Sequence, residues 1–249
     1  MKRALNDPLF DLGELELAAE ASHRNAVMLA EAGLLPEHTY GGGKGRARLW
    51  GMAGLSHMAI VGGLHKSGAD WFLSAKIAGA IVKEIVEFGG YGRFPIGLND
   101  FWREVSPGET EAPSLEEEPN QNHWDREWLL HLWLTKNRQS YTPEQGLRND
   151  IRISIVDRRF ILSGTGMRVA GEPPELQGFV PVARIEGWSR GNDAKIDSMG
   201  ISGESRIRNK IYGEFISAWR DCIGKITVNG SLAIRAAMVR ITKYRLDTS

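Results

Sequence analysis

The sequence predicts an α+β protein, with a helical N-terminal domain followed by a C-terminal domain of mixed strands and helices. Three observations predict it. Residues 11 to 88 place apolar side chains at helical spacing between well-marked caps, residues 150 to 162 alternate polar and apolar side chains around a turn, and a glycine-, proline- and acid-bearing stretch separates the two.

The first helix starts at Asp11 with Glu14 three residues on, the spacing of a capping box. Its face is Leu12, Leu15 and Ala19, and Ala21 closes it. Ser22 supplies the capping oxygen of a second helix, in which Ala26, Leu29 and Ala30 face the first while Arg24 and Asn25 stay near the exposed start. Gly33 stops that helix in the left-handed conformation. Between Pro36 and Gly45, the run Gly41-Gly42-Gly43 forbids a helix, and the short extended runs on either side predict a hairpin-like wing carrying Lys44, Arg46 and Arg48. A third helix covers Met52 to about Lys66, buries Leu55, Met58, Ala59 and Gly62, and ends at Ser67-Gly68. The fourth, about Asp70 to Phe88, spaces Phe72, Ala75, Ile77, Ala78, Ile81, Ile85 and Val86 helically.

Gly89-Gly90 and Pro95 break the pattern, and the acidic, proline-bearing segment 107 to 122, with Glu116-Glu117-Glu118, reads as linker. A helix from His123 to about Lys136 carries Trp124, Trp128, Leu129, Leu132 and Trp133 as a core stripe. Residues Asp150 to Ile155 alternate, Val156 to Arg159 turn, and Phe160-Ile161-Leu162 return as a hairpin; Phe179 to Trp188 is a further strand. Ile207, Ile211, Phe215, Ala218, Trp219 and Cys222 mark an amphipathic helix, and Ser231 caps a closing one through Leu232, Ala236 and Ile241. The expected division is a domain over 1–88, a linker over 89–122 and a separate domain over 123–249.

With 31 basic and 31 acidic side chains the formal charge is zero, so affinity for nucleic acid must come from a local patch. One cysteine, Cys222, excludes an intramolecular disulfide framework and a multi-cysteine zinc site, which fits a reducing cytoplasm. No run approaches the ~18 apolar residues of a membrane span, so no membrane partner is expected and the chain reads as cytoplasmic. Gly41-Gly42-Gly43-Lys44-Gly45 fails as a phosphate loop, because no serine or threonine follows Lys44 and no apolar strand precedes it. His123 and His131 lie too far apart along a helix for one metal ion, and Cys222 reads as a small core residue. No nucleophile, histidine and acid, and no paired carboxylates in an apolar setting, stand out. No enzymatic activity, cofactor or metal is expected.

The N-terminal residues carry a different chemistry. An arginine at a helix start can bond a guanine edge with two hydrogen bonds and an asparagine can do the same to adenine, each pair giving about 1–3 kcal/mol of discrimination. Arg24 and Asn25 hold those positions, beside Ser22 and His23. Lys44, Arg46 and Arg48 would neutralise phosphates and release their counterions.

These residues, with Gly33-Leu34-Leu35-Pro36 and Arg48-Leu49-Trp50, give residues 10 to about 86 a pattern that resembles the winged helix-turn-helix DNA-binding domain of the mercury-resistance-regulator (MerR) family. The resemblance implies that Arg24 and Asn25 enter the major groove, that Arg48 and Trp50 brace the phosphate backbone, and that a second backbone contact lies near His57. Where the family keeps an arginine and an aromatic in the recognition helix, this chain has Val27 and Leu29. The coiled coil that makes the family's dimer is interrupted at Gly89-Gly90 and Pro95, so the expected homodimer must use other contacts. The expected function is a sequence-specific DNA-binding transcriptional regulator, its C-terminal domain serving assembly or the sensing of a small-molecule or protein effector. The alternatives are a DNA-architectural or excisionase-like factor, and a protein-interaction module that has lost DNA binding.

Overall fold

Side-chain caps start the first two helices. The computed structural model describes residues 10–40, 47–88, 152–164, 179–188, 193–198 and 212–248. Helix α1 (Leu12–Ala19) opens where the sequence places it: the Glu14 N–H donates to Asp11 Oδ1 at 2.9 Å, and the Asp11 N–H donates to Glu14 Oε2 at 3.2 Å. It ends before Ala21, because Glu20 turns left-handed (φ 54°) and its N–H reaches the carbonyls of Glu16 and Leu17. Helix α2 (His23–Glu31) is capped by Ser22, whose Oγ accepts from the Asn25 N–H at 3.3 Å, and the chain leaves it through Gly33 at φ 67°.

Strands β1 (Thr39–Tyr40) and β2 (Arg48–Leu49) pair antiparallel, Thr39 opposite Leu49, and residues 41–46 between them, the expected tip of the wing, lie outside the described residues. Directly after β2, Trp50 exchanges backbone hydrogen bonds of 3.0 and 2.9 Å with Phe10, which ties the ribbon to the residue preceding the α1 cap. Helices α3 (Met52–Lys66) and α4 (Trp71–Phe88) follow, α4 opened by Asp70, whose Oδ1 accepts from the Leu73 N–H at 3.0 Å.

The C-terminal half builds a five-stranded antiparallel sheet from β3 (Arg152–Val156), β4 (Phe160–Gly164), β5 (Phe179–Glu186), β6 (Lys195–Ser198) and β7 (Lys225–Asn229), in the order β6-β5-β4-β3-β7. Helices α5 (Tyr212–Asp221) and α6 (Gly230–Thr248) flank β7 in sequence. Because neighbouring strand residues point to opposite faces, Ile153 and Ile155 join Ile161, Ile185 and Val228 on the face that meets the helices, while Val156, Phe160 and Leu162 meet Phe215 of α5 on the other. Cys222 is half-buried at the edge of that second cluster.

Where the sequence suggests two separate domains, the core of the described residues runs without a break from α1–α4 into the sheet and α6. Helix α6 lies against α1 and α3. Its Arg240 donates to the carbonyls of Leu17 and Ala18 at 2.8 and 2.7 Å and pairs with Glu20 at 2.9 Å, and its Arg245 pairs with Glu14 at 2.5 Å. From α4, Lys76 Nζ donates to the Ala194 carbonyl at 2.8 Å. The physical reason is area: at about 25 cal/mol per Å² of apolar surface, neither the helical face nor the sheet face is stable wet, and each covers the other. The expected linker and the tryptophan-rich helix at 123–136 lie outside the described residues.

Two details of α6 differ from expectation. Its cap is Asn229, whose Oδ1 accepts from the Leu232 N–H at 2.9 Å, while Ser231 is buried. The buried arc is Ile234, Ala237, Met238 and Ile241, which leaves Leu232, expected inside, on the outer face. Among the described residues no helix is long and apolar enough to cross a membrane.

Candidate nucleic-acid interface

The first turn of α2 stands in solvent. Ser22, His23 and Arg24 are exposed and Asn25 is half-buried. Ser22 uses its oxygen on the Asn25 N–H, so its role is to fix where the turn begins. His23 Nδ1 lies 2.6 Å from Glu16 Oε1, which holds that imidazole against α1. Arg24 makes no hydrogen bond or ion pair with the described residues, so its guanidinium fork is open to a partner. Arg48, on β2, is likewise exposed. Lys44 and Arg46 lie outside the described residues.

Two expected backbone contacts are corrected. Trp50 is 1% exposed: its indole N–H donates to the Pro36 carbonyl at 3.2 Å, its ring lies 5.4 Å from that of His38, and a Cβ on Gly54 would come within 2.6 Å of its Cβ. It cannot reach a phosphate; it pins the ribbon to the core. His57 is also 1% exposed, on the inward side of α3. Neither of its ring nitrogens has a hydrogen-bond partner among the described residues, and burial lowers its pKa from 6.5 to about 3. Such an imidazole is neutral at ordinary pH and too deeply buried to reach a phosphate.

Sequence reasoning missed what supports α1 and α2 from behind. Glu20, in the turn between them, takes Lys66 at 2.5 Å and Arg240 at 2.9 Å, and the Lys66 hydrogen bond is the main reason its carboxyl sits below the usual range. Lys66 and Arg240 lie 46 and 220 residues from Glu20 in sequence, so no local spacing shows the cluster. Arg158 and Arg159, read from sequence as turn residues, are also exposed. Among the described residues no three side chains of metal-ligand type come together.

Compared with known proteins, the chain matches no protein-family model, no curated protein and no solved structure. The functional reading therefore rests on the residues and their placement.

Proposed function

We propose that this protein is a sequence-specific DNA-binding transcriptional regulator, a winged helix-turn-helix in which the first turn of α2 reads base edges and the β1–β2 ribbon grips phosphates. The supporting observation is Arg24, exposed and unengaged at the start of a well-capped helix. Double-stranded DNA is the partner this favours, since phosphate contacts position and base-edge contacts specify. The test is selection of bound duplexes from a random pool, followed by two variants. Arg24→Ala changes the preferred base at its contact, a loss of about 1–3 kcal/mol of discrimination. Arg48→Ala weakens all duplexes alike and makes the slope of log affinity against log salt shallower by about 0.9. Binding untouched by both substitutions sinks the reading.

A homodimer belongs to the same proposal. On the outer face of α6, Leu232, Val239 and Leu246 are 53%, 60% and 72% exposed and recur every seventh residue. One apolar residue per heptad forms a single stripe along the outer face, half of a full interlocking seam, and a second copy of α6 presents the same stripe in return. Leu246→Lys is expected to shift the mass measured by light scattering from dimer to monomer; an unchanged mass would place the contact elsewhere. An effector, small molecule or protein, acting on the C-terminal region would reach α1 and α2 through Arg240 and Arg245.

A further inference from the structure

The β3–β4 turn holds an arginine in a conformation that arginine does not favour. The Arg159 N–H donates to the Val156 carbonyl at 2.9 Å, and the two residues between, Asp157 and Arg158, have φ of 48° and 55°. Glycine, asparagine and aspartate ordinarily fill such left-handed turn positions, because the Cβ and side chain of other residues crowd the backbone there. Asp157 has a structural reason to be present. Its Oδ1 accepts from the N–H groups of Ile223 and Gly224, both at 3.0 Å, and its own N–H donates to the Gly224 carbonyl at 2.8 Å, which fastens the turn to the loop before β7.

Arg158 has no such reason. It is exposed, makes no hydrogen bond or ion pair with the described residues, and holds its guanidinium carbon 5.7 Å from the centre of the Trp188 ring. Glycine would fill the position without strain, and among the described residues the Trp188 ring is the one group that answers the positive charge; strain kept for so weak a contact points to function. The next residue repeats the display. Arg159 is exposed, its guanidinium stands 5.1 Å from the Phe160 ring, and its carbonyl is fixed by the Ile185 N–H at 2.6 Å. Across the sheet, opposite Val156, Lys225 places its ammonium 3.4 Å from the Trp219 ring. The end of the sheet thus presents cations steadied by aromatic rings, with Asp157 turned into the backbone.

We infer that this hairpin tip is a further contact for the phosphate backbone of nucleic acid, a site separate from α2 and the β1–β2 ribbon. Two neighbouring guanidinium forks suit a strand that offers one anionic group after another, each able to take a bidentate pair. Trp188 packs against the core and lies under Arg158, so the tip holds a backbone and does not stack a base. The inference rests on the DNA-binding reading above, which is what favours phosphates over the carboxylates of an acidic peptide.

The experiment titrates the full chain and its Arg158→Gly, Arg158→Asn and Arg158→Gly/Arg159→Gln variants with a duplex recovered by the selection, across a salt series, and with polyglutamate in parallel. Removing Arg158 is expected to make the salt slope shallower by about 0.9, and removing both arginines by about 1.8. The thermal midpoint of Arg158→Gly is expected to stay level or rise by about 2–4 °C, since the strain is relieved. Slopes unchanged in these variants but reduced in Arg48→Ala would overturn the tip contact and leave the DNA reading standing. Absence of any duplex binding by the unsubstituted protein would remove both. Polyglutamate binding that depends on the tip, with duplex binding unaffected, would make the partner a protein, and lowered midpoints in both glycine and asparagine variants would make Arg158 structural.

Discussion

Gly62→Ala is expected to destabilise the fold by about 3 kcal/mol, although alanine ordinarily gains about 1 kcal/mol over glycine inside a helix. A Cβ at this position would sit 2.4 Å from the Ala19 carbonyl oxygen and 2.9 Å from its Cα. These are backbone atoms at the end of α1, and that end is held in place. Glu20 is turned left-handed just beyond it, and Arg240 binds the carbonyls of Leu17 and Ala18. The clash therefore resolves only if α1 lifts from α3, which strips burial from both helices. Gly79→Ala is the control, because its Cβ would meet only His57 Cε1 at 3.7 Å, an ordinary contact. That substitution is expected to raise stability by up to about 1 kcal/mol. Urea midpoints at constant m value decide it, and a Gly62→Ala protein as stable as the parent would contradict the close approach of α1 to α3.

What the sequence discloses here is local. Asp11 with Glu14, Ser22, Gly33 and Ser67-Gly68 set helix ends through bonds that span three or four residues, and such bonds can be read from spacing. The hairpin over β3 and β4 is legible for the same reason, since alternation and turn lie within a dozen residues. Strand β6 is not: Lys195-Ile196-Asp197-Ser198 buries only part of one side chain and is a strand because β5 pairs with it. Strand β7 is missed because it lies between two helices and finds its partner β3 some 70 residues back.

The candidate site divides along the same line. Exposure at Ser22, His23 and Arg24 follows from their place at a helix start, before the apolar face begins. Burial of Trp50 and His57 does not follow from spacing. Trp50 is drawn inward by pairing with Phe10 and by its bond to Pro36, and His57 lies on the face of α3 that the rest of the fold covers. A resemblance carried by residue type placed both on the surface, and tertiary packing decided otherwise. The union of the two halves is of the same kind, because Arg240 and Arg245 act across more than 200 residues of sequence.

The buried histidine is expected to add to the protein's loss of stability in acid, and His57→Leu to remove that contribution. Above its ordinary pKa of 6.5 the imidazole is neutral in both the folded and unfolded chain, so it adds no pH dependence. As pH falls below 6.5, the unfolded chain takes a proton that the folded one refuses until about 3, so stability is lost across that window. The loss is about 1.4 kcal/mol per pH unit, or about 3 kcal/mol by about pH 4. Leucine has no proton to take. It also leaves nothing unpaired, because neither imidazole nitrogen is hydrogen-bonded among the described residues, so the variant should match or exceed the parent near neutral pH. Carboxylates such as Glu20, held below the usual range, cost stability in acid too, but they titrate in both proteins and cancel in the difference. Unfolding midpoints measured from about pH 7.5 down to about pH 4 should therefore diverge, the parent falling faster, and parallel curves would show that His57 meets water or a partner after all.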